Sequence, residues 1–204
     1  SAAVCGGGPD RFSPTMLAHV QPGKIDVRDL LATFGQYGFR KTSMQDIADA
    51  VGLSRQSIYK KFGSKEACYR WTIKAYLADM YGRIFDVLET DEAAAAAPQV
   101  TLQRVFDIFI GEAVELVRRP HGTEVLDDTL EATHASEEQW PSSFRKRLGD
   151  FLHRHGLASS PERGKSKAFV MITSAKGLLL EVPSQERFRE EMGRILTILV
   201  GELD

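Results

Sequence analysis

The stretch from residue 42 to residue 62 constrains the fold of this chain more than any other part of the sequence. Two short segments with helical spacing of apolar residues flank Gly52-Leu53-Ser54. Gly52 can adopt the positive φ that a tight turn requires, and Ser54 is a favourable N-cap for a second helix. The side chains that can close a small core between the segments are Ile47, Val51, Leu53 and Ile58. This layout predicts a helix-turn-helix at about residues 43–62.

The outward face of the second segment indicates what this unit contacts. With Ile58 and Phe62 directed inward, Arg and Gln side chains remain that can pair with guanine and adenine in the major groove. Hydroxyl and ammonium groups suit phosphate oxygens, and free backbone N–H groups at helix starts favour the same anions. We therefore expect contacts with a double-stranded DNA operator from Thr42, Ser43, Ser54, Arg55, Gln56, Ser57, Tyr59, Lys60 and Lys65.

Less specific interpretations of these residues stay open. Tyr59 can be an edge residue of the core, Arg55 and Gln56 can touch only phosphate or water, and the motif can be a structural hairpin. The charge distribution favours DNA. Residues 24–75 hold ten Lys and Arg against five Asp and Glu, a net charge of +5, whereas residues 76–204 carry −7. A basic module joined to an acidic one suggests that the N-terminal part meets a polyanion.

Residues 25–77 resemble the DNA-binding domain of the TetR family (TetR/AcrR-like regulators). The positions that carry the resemblance are Thr42, Ile47-Ala48, Gly52, Leu53-Ser54, Ile58-Tyr59, Phe62 and Ser64-Lys65-Glu66, with the preceding Phe34-Gly35-Gln36-Tyr37-Gly38-Phe39. Gln56-Ser57 departs from the smaller or more varied residues usual in the family, which affects the operator that is read. The resemblance implies an all-α fold, with an N-terminal three-helix helix-turn-helix DNA-binding domain and a C-terminal helical ligand-binding and dimerisation domain.

The periodicity along the chain agrees with an all-α protein. We predict a disordered or partly ordered tail over residues 1–23, the DNA-binding domain over 24–75, and the effector-binding and dimerisation domain over 76–204. Prolines and apolar spacing predict the later helices at about 100–119, 123–134, 141–155, 163–181 and 185–202. Thr42 with Gln45 fits a capping box for the helix that begins there, and Ser43 with Asp46 fits a looser version. The alanine run at 93–97 predicts a helix end or linker.

The resemblance implies an effector pocket and a dimer interface in the C-terminal part. Aromatic residues that could line the pocket are Phe85, Phe106, Phe109, Trp140, Phe144 and Phe169. The last two helices carry more apolar positions than one buried face needs, which fits a four-helix interface made by two chains. The candidate interface residues are Phe169, Ile172, Leu179, Phe188, Met192, Ile195 and Leu199.

Two further features have competing interpretations. The acidic run of Glu124, Asp127, Asp128 and Glu131 could bind a cationic effector, although such runs are more often solvated faces. Cys68 follows a helical apolar stripe and is expected to be a small buried hydrophobe rather than a redox sensor.

Other function classes find little support. There is no His-Glu-x-x-His and no Gly-x-Ser-x-Gly, and residues 159–166 lack the first glycine of a phosphate-binding loop. We expect no enzyme activity, cofactor or metal, and, without a leader, a membrane span or a disulfide framework, a cytoplasmic protein. The expected function is a ligand-responsive repressor that binds a palindromic operator as a homodimer and is released by a small-molecule effector. The alternatives are an effector-independent regulator or activator, and a helical small-molecule-binding protein with a vestigial DNA motif.

Overall fold

The computed structural model describes residues 25–90 and 97–201, and all regular structure in these ranges is helical. The predicted tail at 1–23 and the alanines at 93–96 lie outside the described residues. The all-α fold class is thereby confirmed. None of the helices in the described part of the chain combines the length and apolarity that crossing a bilayer requires.

Four helices form the N-terminal part: α1 (Val27–Lys41), α2 (Met44–Ala50), α3 (Arg55–Phe62) and α4 (Lys65–Glu89). The remainder comprises α5 (Pro98–Phe109), a 3₁₀ turn (Gly111–Ala113), α6 (Val114–Val117), α7 (Gly122–Ala135), α8 (Trp140–Arg154), α9 (Pro161–Glu181) and α10 (Gln185–Gly201). The predicted boundary at residue 75 therefore falls inside α4, which runs unbroken through both parts.

The predicted helix over 100–119 is wrong as a single element. The backbone leaves the helical path at Ile110, where φ is −128°, and continues through the 3₁₀ turn into α6. The bend brings Gly111 close to α10, since a Cβ there would meet the Asp107 carboxylate and would lie 3.1 Å from the Phe188 ring. The chain bends where α10 presses against it.

The start of α2 uses the looser of the two predicted capping boxes. Ser43 accepts from the Asp46 backbone N–H, and the Asp46 carboxylate accepts from the Ser43 backbone N–H at 2.7 Å. The predicted box of Thr42 and Gln45 is wrong. Thr42 is only 1% exposed and donates its hydroxyl to the Gly38 carbonyl, while Gln45 donates to Asp49.

Several connections join the DNA-binding helices to the helical body, and three of them run through α1 or α4. The first is α4 itself. The second is the His121 backbone N–H, which donates to the Gly35 carbonyl of α1 at 2.8 Å. The third is the Tyr69 hydroxyl of α4, which donates to the Asp128 carboxylate of α7 at 2.6 Å. Motion in the body can therefore reach α1 and α4 directly.

Candidate nucleic-acid interface and ligand cleft

A small core fixes α3 against α2. Ile47, Ala48 and Ile58 are fully buried, and the Leu53 backbone N–H donates to the Ala48 carbonyl at 3.0 Å across the turn. Gly52 has φ 65°, in the left-handed region that favours glycine. The predicted helix-turn-helix is confirmed as a structural unit, and α3 is held rigidly at its surface.

Most of the predicted DNA-contacting residues lie together on α3. Ser54 caps the helix by accepting from the Ser57 N–H, and its hydroxyl lies 2.8 Å from the Ser57 hydroxyl. The Arg55 guanidinium lies 5.5 Å from the centre of the Tyr59 ring, and Tyr59 is 42% exposed. The other exposed positions on this helix are Gln56, Ser57, Lys60 and Lys61. The surface is polar and basic and contains no acidic residue.

In the described part of the chain, the cations of α3 have no acidic partner. Within residues 25–90 and 97–201, no Asp or Glu forms an ion pair with Arg55, Lys60 or Lys61. Elsewhere in the molecule, surface cations such as Arg83 and Arg189 pair with neighbouring carboxylates. Unpaired cations on one exposed helix keep their charge available for an external anion.

Three predicted contacts at the flanks are already engaged within the chain. Thr42 is buried, as described above. The Ser43 hydroxyl lies 2.6 Å from the Asp46 carboxylate, and its hydrogen bonds hold the pKa of Asp46 below its usual value. The Lys65 ammonium donates to the Arg40 carbonyl at 3.1 Å and lies 4.8 Å from the centre of the Phe39 ring.

The structure adds basic residues at this surface. Lys61, whose ammonium group suits a phosphate contact as that of Lys60 does, is exposed on α3, and Arg40 and Lys41 are exposed at the end of α1, next to Lys65. In the sequence, Arg40 and Lys41 are the two basic residues in the last turn of α1. Basic residues stabilise a helix C-terminus in any protein, so their presence there does not by itself indicate DNA binding.

A cleft of about 700 Å³ lies between the N-terminal half of α4, the end of α1, α7 and residues 136–140. Its apolar lining comes from Phe39, Tyr69, Ile73, Leu77, Ala132, Ala135 and Trp140. Its charged lining comes from Glu66, Arg70, Lys74, Asp128, Glu131, Glu137 and Glu138. The volume lies in the usual range for small-molecule sites.

The predicted pocket aromatics are not brought together around this cleft. Phe106, Phe109 and Phe144 are buried against one another, with 5.0 Å between the ring centres of Phe109 and Phe144. Phe85 lies under the Arg147 guanidinium, and Phe169 is 52% exposed on α9. Of the predicted set only Trp140 lines the cleft. The rings of Phe106, Phe109 and Phe144 contact one another directly and therefore form part of the hydrophobic core.

The predicted interface residues divide into three groups by their burial. Leu179, Phe188 and Met192 are buried inside the chain, and Ile172, Ile195 and Leu199 are partly buried. Phe169 alone is mainly exposed. The other exposed apolar side chains of these helices are Val170, Leu180 and Ile198. We call Phe169, Val170, Leu180 and Ile198 the α9–α10 face.

These features define a DNA-binding transcription regulator: a helix-turn-helix whose second helix is exposed and basic, joined to a larger helical body. Residues 30–70 match the family model described as bacterial regulatory proteins, tetR family. The resemblance of the DNA-binding part to the TetR family is thereby confirmed, and the chain is similar to regulators of that family. Its class is that of transcription regulators, not of enzymes.

Relatives and solved structures agree. The chain is 27% identical over 140 residues to the uncharacterized HTH-type regulator YezE of Bacillus subtilis, covering 66% of this chain and 68% of YezE. It is 33% identical over 66 residues to the HTH-type transcriptional repressor KstR2 of Rhodococcus jostii, about a third of each chain.

Solved structures share the fold at low sequence identity. The TetR-family regulator PfmR of Thermus thermophilus has a TM-score of 0.55 at 18% identity, covering 87% of this chain and 98% of PfmR. The ketosteroid transcriptional regulator KstR2 of Mycobacterium tuberculosis has a TM-score of 0.52 at 21% identity, covering 86% and 91%. The fold is shared along nearly the whole of this chain.

Proposed function

We propose that this protein is a repressor that inserts α3 into the major groove of a palindromic operator. The observation that carries the proposal is the exposed face of α3, whose cations have no acidic partner in the described part of the chain. In this arrangement Arg55 reads guanine and Gln56 reads adenine. Ser54, Ser57, Tyr59 and Lys60 contact phosphates and fix the register. Thr42 and Lys65 contribute indirectly by stabilising the end of α1. The Thr42 hydroxyl donates to the Gly38 carbonyl, and the Lys65 ammonium donates to the Arg40 carbonyl.

The α9–α10 face supports the homodimer part of the proposal. Leu180 and Ile198 are 66% and 60% exposed, although they lie on long helices whose other sides are buried. Pairing this face with its copy by a two-fold axis covers it and presents two α3 helices to the DNA. Their spacing is then expected to match one turn of DNA, about 34–36 Å, or a multiple of it.

Repression and release are proposed on two grounds. The KstR2 relatives are named transcriptional repressors, although this chain matches only about a third to a half of their length. The α4 helix begins beside α3 and continues into the body, so a ligand bound there can change the spacing of the two recognition helices. Release requires only that the effector binds more tightly to the conformation in which the spacing of the two α3 helices no longer matches the operator.

Selection of bound sequences from a random pool of double-stranded DNA tests the proposal. The purified protein at moderate salt is expected to recover a palindrome. A folded, dimeric protein that enriches no sequence would contradict it and favour the alternative of a ligand-binding protein with a vestigial motif.

A matched pair of lysine variants localises the contact. Lys60→Ala on α3 should weaken binding to the recovered operator and lower the salt slope by about two, because each subunit of the dimer loses one phosphate contact. Lys146→Ala on α8 removes an exposed lysine from the body and should leave both quantities unchanged. Equal effects of the two variants would place the interface elsewhere.

A further inference from the structure

The cleft between α4 and α7 has an excess of negative charge. Five of its lining residues are acidic and two are basic. Lys74 lies 3.8 Å from Glu138 and balances it in part. Among the described residues, no basic side chain forms an ion pair with Glu66, Asp128, Glu131 or Glu137. Carboxylates around a concave surface focus a negative potential into it.

The floor of the same cleft is apolar and aromatic. Phe39, Tyr69 and Trp140 contribute rings, and Ile73 and Leu77 contribute aliphatic surface. The Trp140 ring is stacked on Tyr81 at 5.5 Å, so its position is set by the core. Aromatic faces attract cations, most strongly where water is excluded. An apolar floor with an acidic rim is complementary to a molecule that has both a hydrophobic body and a positive charge.

One carboxylate in the cleft also holds the two parts of the molecule together. Asp128 accepts from the Tyr69 hydroxyl, and the Tyr69 ring packs 4.6 Å from Phe34 and 5.2 Å from Phe39 of α1. Burial and the adjacent Asp128 carboxylate raise the pKa of Tyr69 above its usual value, so the hydroxyl stays a donor. A positive group that draws the Asp128 carboxylate toward the cleft weakens this connection between α4 and α7.

We propose that the cleft bounded by α1, α4 and α7 binds an amphipathic organic cation, and that this cation is the effector. The role of this cation as an effector rests on the proposed function. The positive group lies among Asp128, Glu131 and Glu137, and the hydrophobic body lies on Tyr69, Ile73 and Trp140. Binding draws Asp128 away from Tyr69 and loosens α4 against α7.

Binding is tested on the full chain without DNA, using two probes of one shape. N-methylacridinium is a tricyclic cation, and N-methylacridone is its neutral counterpart of nearly the same size. Fluorescence titration is expected to give at least about tenfold tighter binding of the cation, since the attraction between the ring cation and carboxylates near a protein surface is of that order. Equal affinities, or tighter binding of the neutral probe, would overturn the proposal.

Charge-neutralising variants locate the site. Asp128→Asn keeps an oxygen that can accept from Tyr69, and Glu131→Gln changes an exposed carboxylate, so both should fold. Together they should weaken the cation at least about tenfold and leave the neutral probe unchanged. Asp127→Asn is the matched control, because Asp127 is adjacent on α7 and does not line the cleft. A double variant that binds the cation as tightly as the Asp127→Asn control would overturn the assignment.

A separate measurement distinguishes this inference from the proposed function. If the unliganded protein selects no operator, the proposed function fails while the probe titrations still decide the cleft. If the operator is bound, N-methylacridone is the control for the action of the cation on the complex. The cation should then release the operator from the wild type at concentrations that leave the Asp128→Asn, Glu131→Gln double variant bound. Release of both proteins at the same concentration would overturn the effector role.

Discussion

At the scale of single residues, Cys68 and the residues that flank α3 differ in how the fold uses their side chains. Cys68 was expected to be a small buried hydrophobe, and it is fully buried, so that prediction is confirmed. The flanking residues show the opposite case. Thr42 and Lys65 have side chains that suit phosphates, yet the structure engages them with the end of α1. Their partners are the backbone carbonyls of Gly38 and Arg40, and residue type alone does not reveal which backbone groups a side chain reaches.

The burial of Cys68 has a measurable consequence. Burial raises the pKa of this thiol to about 11, so at pH 8 only about one thiol in a thousand is ionised. In a Cys5→Ser background, iodoacetamide at pH 8 should leave the folded protein unmodified and alkylate Cys68 rapidly in denaturant. Mass spectrometry gives the extent of alkylation. Modification of the folded protein at the rate of the denatured one would contradict the assignment.

At the scale of elements, local signals predicted the helix-turn-helix because its caps, turn glycine and small core all lie within one short stretch. The break after α5 was missed because its cause, the approach of α10 to Gly111, is distant in sequence. A second difference concerns which apolar residues of α9 and α10 are exposed and which are buried within the chain. Periodicity counted the apolar positions correctly, but it could not say which face is covered by the chain itself.

The contact between α8 and α9 gives an element-scale prediction. A Cβ at Gly164 would lie 2.4 Å from the Gly149 carbonyl oxygen, so the two helices meet backbone to backbone. Gly164→Ala should lower the free energy of unfolding by about 1–3 kcal/mol, although alanine favours helix formation. Urea denaturation followed by circular dichroism measures it.

The control for this substitution lies on another helix. Gly82 on α4 has open space where its Cβ would be placed, so Gly82→Ala should raise the free energy of unfolding by about 0.5–1 kcal/mol. Opposite signs for the two variants support the close approach. A stabilised Gly164→Ala would show that α8 and α9 are further apart than described.

At the scale of the whole molecule, the proposal depends on two copies of the chain. Leu180→Glu places a charge in the α9–α10 face, and burying it unpaired costs several kcal/mol, so dimer affinity should fall by about a hundredfold or more. The exposed position should leave the fold intact. Sedimentation velocity measures the dissociation.

Leu130→Glu on α7 is the control for the dimer test, since Leu130 is also an exposed leucine but lies outside the α9–α10 face. It should remain dimeric. A Leu180→Glu protein that stays dimeric at the same concentration would show that another surface forms the interface, while the DNA-binding proposal would still stand on α3.

The central claim is that α3 reads DNA sequence, and selection with an altered recognition helix tests it most directly. The selection from random DNA is repeated with Arg55→Ala beside the wild type. We expect that the palindrome persists but loses its preference at one symmetric position in each half-site, at a cost of about 1–3 kcal/mol per half-site. An unchanged preference at every position, with unchanged affinity, would contradict the role of Arg55 and of the α3 surface built around it.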